Sequence, residues 1–184
     1  MAVEPVTLLR ELAKRFGKRV RKINLLDRNV CTSPISHERP SEILALPGDM
    51  FRHSVNFEFA GRQVKLLANG EFVVVQVRGT LDVEVLSFNR PDKIFDLQRS
   101  SFQIDKLPSV TVFARGSCGD ISGFLGSPDL HRTLNLLLER PAASLHIYRN
   151  GLVFYDRPEA SDEVLLALGV LCDLAARLPT LETS

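Results

Sequence analysis

The residues best suited to chemistry form the short run Gly116-Ser117-Cys118-Gly119-Asp120. A cysteine between glycines, after a predicted strand, could become a reactive thiolate if helix N–H groups stabilised its charge. It would then serve as the nucleophile of a small hydrolase or transferase, with His131 or His146 as the base. Neither the order nor the flanking residues match a cysteine-protease signature, so an ordinary loop thiol is the alternative interpretation. Cys118 and His131 are therefore weak candidates for catalytic residues.

The remaining sequence predicts no metal and no cofactor. The four histidines are scattered, and Asp129 and His131 lie two positions apart, on different faces of a predicted helix. The glycines between residues 116 and 126 are not followed by the Lys-Ser or Lys-Thr pair of a phosphate-binding loop. An enzymatic role is therefore the less favoured interpretation.

Two groups of carboxylates could take part in acid–base chemistry or in docking. Asp82 and Glu84 share one face of a predicted strand, where an ordinary solvated sheet face also explains them. The second group, which we call the acidic corner, consists of Asp156, Glu159, Asp162 and Glu163. It complements the positive N-terminus of the last predicted helix, or it docks a basic partner such as the N-terminal segment itself.

Positive charge is concentrated near the N-terminus. Residues 10–22 hold seven basic side chains and one acidic side chain, which leaves 16 basic and 21 acidic side chains, a net charge of −5, elsewhere. Leu9, Leu12, Phe16 and Val20 recur at spacings of three and four, which predicts a helix. Such a helix can pack on its own domain with a solvated basic face, or it can bind an anionic partner. The predicted partner-binding residues are Arg10, Lys14, Arg15, Lys18, Arg21 and Lys22.

The class of partner follows from charge and composition. We expect a protein partner or a second copy of the chain, with an anionic surface as an alternative. Nucleic acid is disfavoured, because the net charge is only +1 and no base-reading residues are interleaved with the basic ones. No apolar run reaches the roughly 18 residues of a membrane span. Three widely spaced cysteines match neither a disulfide framework nor a zinc pattern, so we expect a cytoplasmic protein.

The apolar period changes from helical to alternating after residue 53. Val55, Phe57 and Phe59 alternate with polar residues, as expected of a half-buried strand. Asn69-Gly70 and Asn150-Gly151 predict two hairpin turns. These signals predict an antiparallel meander of four strands over residues 53–88 and a later hairpin over residues 144–156.

Two helices are predicted in the last third of the chain. Ser127 stands at the N-cap of the first with Pro128 at its first position, and Ser161-Asp162-Glu163 begin the second. The order of elements, with "TVFARG", "SLHIYRNGLVFY" and a closing Leu/Ala helix, resembles bacterial α+β domains of unknown function over residues 50–178. This resemblance implies a fold class and no activity.

These observations predict an α+β fold with an antiparallel meander, helices packed on one face and an N-terminal amphipathic basic helix. We divide the chain into that helix (1–25), a linker (26–49), the α+β core domain (50–179) and a tail (180–184). The favoured function is a non-enzymatic interaction or adaptor module. The alternatives are a cysteine-dependent hydrolase or transferase using Cys118, and a small-ligand-binding domain that uses the sheet face left uncovered by helices.

Overall fold

A computed structural model describes residues 3–22, 53–79, 81, 85–89, 101–103, 110–115, 125–140 and 143–178. The described residues contain three α-helices and nine strands. The helices are α1 (Pro5–Arg15), α2 (Pro128–Leu137) and α3 (Ser161–Arg177). The strands are β1 (Arg21–Lys22), β2 (His53–Phe59), β3 (Arg62–Ala68), β4 (Val73–Arg78), β5 (Val85–Asn89), β6 (Ser101–Gln103), β7 (Thr111–Arg115), β8 (Ser144–Tyr148) and β9 (Gly151–Asp156).

The strands form one antiparallel sheet with the order β1-β2-β3-β4-β9-β8-β5-β7-β6. Seven of these strands are at least five residues long, and the short β1 and β6 lie at the two edges. The predicted α+β class with an antiparallel sheet is thus confirmed. The predicted four-strand meander is only partly correct, because the late hairpin β8–β9 lies between β4 and β5. Val75 pairs with Phe154 on one side of this hairpin, and Leu86 pairs with Ile147 on the other.

All three helices contribute to a core on one face of the sheet, which we call the helix face. Alternate strand residues point to this face and are almost fully buried, and α1, α2 and α3 add their apolar stripes to the same cluster. The strand residues of this core are Val55, Phe57, Val64, Leu66, Ala68, Val73, Val75, Val77, Leu86, Phe88, Val112, Leu145, Ile147, Leu152 and Phe154.

Helix α1 belongs to this core. Leu9 and Leu12 are fully buried, and the ring of Phe16 stacks on that of Phe57 at 4.2 Å between centroids. The helix ends at Arg15, earlier than the apolar spacing predicts, because Gly17 takes a positive φ of 62° and turns the chain. The chain then joins the sheet as β1. Residues 26–49 and 180–184 lie outside the described residues, so the division of the chain stays a prediction.

Three turns between neighbouring strands depend on the residues that form them. Ala60 and Gly61 both have positive φ, as a two-residue hairpin turn of type I′ requires. The Asn69 side chain accepts hydrogen bonds from the backbone N–H groups of Glu71 and Phe72, at 2.7 and 2.6 Å. In the β8–β9 hairpin the two turn residues are Arg149 and Asn150, one position earlier than predicted.

Gly151 cannot be replaced without strain. Its φ is 145°, and a methyl group at its α-carbon would overlap the Val77 carbonyl oxygen on the neighbouring strand. We expect Gly151→Ala to lower the free energy of unfolding by at least about 2 kcal/mol in urea titrations. Gly70→Ala is the matched control, because its added methyl group meets no atom within 4 Å. Equal losses for the two variants would contradict this account.

The role of α1 in the core gives a second expectation. Leu12→Ala should lower the free energy of unfolding by about 2–5 kcal/mol, because a fully buried leucine leaves a cavity when it is truncated. Leu166→Ala on α3 is the control, since that side chain is 57% exposed. A Leu12→Ala variant as stable as the control would show that α1 is a separable appendage, as the predicted boundary at residue 25 implies.

Candidate functional site

The six predicted partner-binding residues are all exposed; together they are called the basic surface. Arg10 and Lys14 lie one turn apart on α1, and Arg21 and Lys22 form the edge strand β1. Arg15 donates to Asp162 across 2.7 Å. The other five form no ion pair with another described residue. Their role in binding a partner stays a prediction.

The apolar residues beside the basic surface are used inside the molecule. Leu8, Leu9 and Leu12 have at most 1% of their surface exposed, and Phe16 packs on β2. A helix that lies in a membrane interface needs such residues on its open face. The basic surface can therefore attract a partner by charge but has little apolar area to add.

The acidic corner is largely occupied by contacts within the chain. Arg140 lies between two of its carboxylates, 3.0 Å from Asp156 and 2.8 Å from Glu163. Glu163 also accepts the backbone N–H groups of Glu159 and Ala160 at the start of α3. With Asp162 bound to Arg15, the corner holds the start of α3 and contacts the end of α1.

The structure describes only one of the two weak catalytic candidates, His131. Cys118 and the run around it lie outside the described residues, so the thiolate hypothesis stays a prediction. His131 is buried on α2, and its Nε2 is hydrogen-bonded to the Leu125 carbonyl oxygen at 2.8 Å. Cys172 is a buried free thiol whose pKa is raised by burial, which disfavours the reactive thiolate. Asp82 and Glu84 also lie outside the described residues.

A second cluster, which the sequence did not single out, occupies the sheet face opposite the helices. Gln76 on β4, Val153 on β9, His146 on β8 and Ser87 on β5 are consecutive partners in register across the sheet. All four are at most 4% exposed. We call these four residues the central row. Its one visible signal was Gln76, an isolated polar residue within the apolar run of β4.

Two tyrosines flank the central row. Tyr148 lies on the same strand as His146, with 6.4 Å between the ring centroids, and Tyr155 meets His146 edge-on at 5.8 Å. Both tyrosines are at most 7% exposed. Burial raises the pKa of each phenol above its ordinary value, and Tyr155 raises that of Tyr148 further. Both therefore stay neutral at any ordinary pH.

His146 is the central residue of this cluster. Its Nδ1 shares a hydrogen bond of 2.8 Å with the Ser87 hydroxyl. Burial lowers the pKa of the imidazole to about 3, because the charged form would lose its hydration. Leu145 and Ile147, its neighbours on β8, belong to the core on the helix face, so His146 points to the opposite face, and it is fully buried there.

Three polar atoms of the cluster have no hydrogen-bond partner within the described residues. They are Oε1 of Gln76, Nε2 of His146 and the hydroxyl of Tyr148. An unpaired buried polar atom costs about 1–3 kcal/mol, so proteins rarely keep several together without a use.

Among the described residues, no group of three or more His, Cys, Asp or Glu side chains could hold a metal ion. No helix in the same part of the chain combines the length and apolarity needed to cross a bilayer.

Comparison with known proteins adds one finding about the fold. No protein-family model and no curated protein matches the chain. Among solved structures, the chain is similar to the mycobacterial trehalose monomycolate transport factor A, TtfA, with a TM-score of 0.67 and 14% sequence identity. The alignment covers 96% of this chain and 97% of that one. At this identity the likeness shows a shared fold and nothing further.

The buried imidazole makes stability depend on pH. In the unfolded chain a histidine has a pKa of about 6.5, whereas burial lowers that of His146 to about 3 in the folded chain. The unfolded state therefore takes up a proton first as pH falls, so stability is full above pH 6.5 and declines toward pH 3. Between pH 7.5 and 5 we expect a loss of about 2 kcal/mol from this residue.

Urea titrations of the wild type and His146→Gln at the two pH values measure this loss. Between pH 7.5 and 5, the free energy of unfolding of the variant should fall by about 2 kcal/mol less than that of the wild type, since glutamine does not titrate. NMR of the imidazole in the folded protein is the control. At pH 5 the His146 ring should still give the chemical shifts of its neutral form. A His146 signal that titrates near pH 6.5 would contradict the assignment.

Proposed function

We propose that this chain is a non-catalytic binding module that docks through its basic surface on an acidic protein surface. The observation that carries this proposal is the exposure of the six predicted partner-binding residues on α1, β1 and the segment between them. Five of them form no ion pair with another described residue. Long-range attraction between such a surface and an acidic partner speeds association and selects the partner by charge.

Two features favour a protein partner over a membrane. The apolar residues of α1 are buried in the core, so no hydrophobic anchor remains to hold the helix in a bilayer. Outside residues 10–22 the chain carries a net charge of −5, so a second copy of the chain also offers acidic surface. A cytoplasmic location agrees with the cysteine content and is part of the proposal.

The structural neighbour TtfA is a transport factor, and a binding module is compatible with that role. The cysteine-dependent hydrolase or transferase stays the alternative, and it rests on Cys118 alone.

The test removes three charges from the basic surface and the same number elsewhere. Lys14→Gln, Lys18→Gln and Lys22→Gln together should weaken binding to immobilised polyglutamate about tenfold, at roughly 0.5 kcal/mol per exposed charge. Arg78→Gln, Arg132→Gln and Arg149→Gln change the net charge equally at exposed positions outside the basic surface. This control triple should bind like the wild type. If both triple variants lost the same affinity for polyglutamate, net charge alone would explain the effect and the proposal would be overturned.

Sedimentation velocity and vesicle pelleting separate the possible partners. Self-association that weakens from 0.01 M to 1 M salt, where the Debye length falls from about 30 Å to about 3 Å, would identify a second copy as the partner. If the protein pelleted with phosphatidylserine vesicles but did not bind polyglutamate, the partner would be a membrane and not a protein. Pelleting that survives 1 M salt would contradict the charge-only account of α1.

A further inference from the structure

We propose that the outer side of α3, which faces away from the sheet, is an interface through which two copies of this chain associate. In the pair the two α3 helices lie side by side and antiparallel. The interface is centred on Leu166, Gly169 and Val170 of α3, with Leu136 of α2 beside them, and we call these four residues the apolar patch. This inference is independent of the basic surface, because it concerns other residues and depends mainly on apolar contact.

The apolar patch is exposed where a surface helix usually presents charged residues. Leu166 is 57% exposed and Leu136 is 45% exposed, more than the other large apolar side chains of the described residues. Val170 is half-buried, and residues 164–172 of α3 include no charged side chain. A single exposed leucine is common on proteins, whereas several apolar residues that adjoin one another mark a contact surface.

Two ion pairs show that Leu136 lies beside the middle part of α3. Arg177 at the end of α3 is 3.3 Å from Asp129 near the start of α2. Glu163 near the start of α3 is 2.8 Å from Arg140, just after the end of α2. The two helices are therefore antiparallel neighbours. Leu136 lies between Asp129 and Arg140 along the chain, so it extends the exposed surface of α3 onto α2.

Gly169 provides a second, independent observation. A glycine inside a helix destabilises it relative to alanine, because glycine loses more backbone freedom on folding. The described residues give no reason for it, since its φ is not positive and a methyl group at its α-carbon would meet none of their atoms within 4 Å. The space beside Gly169 is therefore open. A glycine at such a place lets a second helix approach more closely than the usual 8–10 Å between axes.

The charged residues of α3 make a second copy the occupant that fits. Asp162 and Arg177 lie on the same side of the helix as Leu166, and they are equally far from the step between Gly169 and Val170. In an antiparallel pair centred on this step, Asp162 faces the partner's Arg177 and Arg177 faces the partner's Asp162. Their side chains are 78% and 58% exposed, so each can bind across the interface as well as within the chain. The surface is thus complementary to itself, as two-fold symmetry requires.

The size of the surface predicts a weak and reversible dimer. Helix α3 has 17 residues and is about 25 Å long, so two such helices bury an area at the low end of specific interfaces. Asp173 faces the partner's Leu166 in the same pairing, which leaves less apolar contact. We therefore expect a Kd of about 100 µM.

Sedimentation velocity of the full chain between about 10 µM and about 1 mM measures this association. Leu166→Gln and Gly169→Gln should each raise the Kd at least about tenfold, because a polar amide would enter the contact. In dilute solution Gly169→Gln should melt at or above the temperature of the wild type, since glutamine favours a helix more than glycine does. Loss of the dimer would then not result from unfolding. Gly70→Gln is the matched control, because Gly70 is an exposed glycine in a turn between strands.

Charge reversal tests the antiparallel arrangement. At about 0.1 M salt, Asp162→Arg and Arg177→Asp should each raise the Kd about tenfold, because each places two pairs of like charges opposite one another. An equimolar mixture of the two variants should associate like the wild type, since one copy then has arginine at both positions and the other has aspartate at both. Arg78→Asp is the matched control, with the same change of charge at an exposed residue of β4.

Four results would overturn the proposal. The first is a wild-type chain that stays monomeric at about 1 mM. The second is a dimer that both glutamine variants of α3 leave unchanged, which would place the contact on another surface. The third is a mixture of the charge variants that associates no better than either variant alone. The fourth is loss of the dimer in the Lys14, Lys18 and Lys22 triple variant, which would assign self-association to the basic surface.

Discussion

The pairing of the β8–β9 hairpin with strands on both of its sides holds this structure together. On one side β9 continues the ladder of β2, β3 and β4, and on the other β8 carries β5 and β7. Two backbone hydrogen bonds lie where the chain leaves β4, beside the turn of the hairpin. The Asn150 carbonyl accepts from the Gly79 N–H group, and the Arg149 carbonyl accepts from the Leu81 N–H group. The core on the helix face and the central row on the opposite face both extend from β4 across the β8–β9 hairpin to β5. Without the hairpin, Val75 of β4 and Leu86 of β5 would not share one surface, and neither would Gln76 and Ser87.

Local patterns predicted the elements well and their neighbours poorly. Ser161-Asp162-Glu163 marked the start of α3, and period-two alternation marked β2, because capping and alternation depend on residues close in sequence. The position of β8–β9 between β4 and β5 had no such signal. Strand order is decided by which edges bury the most apolar area together, and the apolar run of β4 suits several neighbours. The turn of the β8–β9 hairpin was predicted one residue too late, because Gly151 is needed for close approach to β4 and not for the turn itself.

The candidate sites show the same division. The basic residues of α1 and β1 were recognisable because charge density is a property of the sequence itself. The central row was not, since alternation shows that His146 and Leu145 point to opposite faces but not whether either face meets water. A polar residue on a sheet face is usually solvated, whereas His146 is fully buried. Only the three-dimensional register places Ser87, 59 residues away in sequence, against its imidazole.

The order of the strands along the chain has a consequence for biosynthesis. Strands β2, β3 and β4 leave the ribosome long before residues 144–156, so β4 has no partner on its outer side during that interval. Its sequence Val73-Val74-Val75-Gln76-Val77 is uncharged and rich in β-branched residues, the composition that favours pairing with other chains. Gln76, the single polar side chain in this run, interrupts it at the time of greatest exposure. Closing the sheet requires contacts between distant residues, which makes this step slow and leaves the nascent protein dependent on being shielded until its last third emerges.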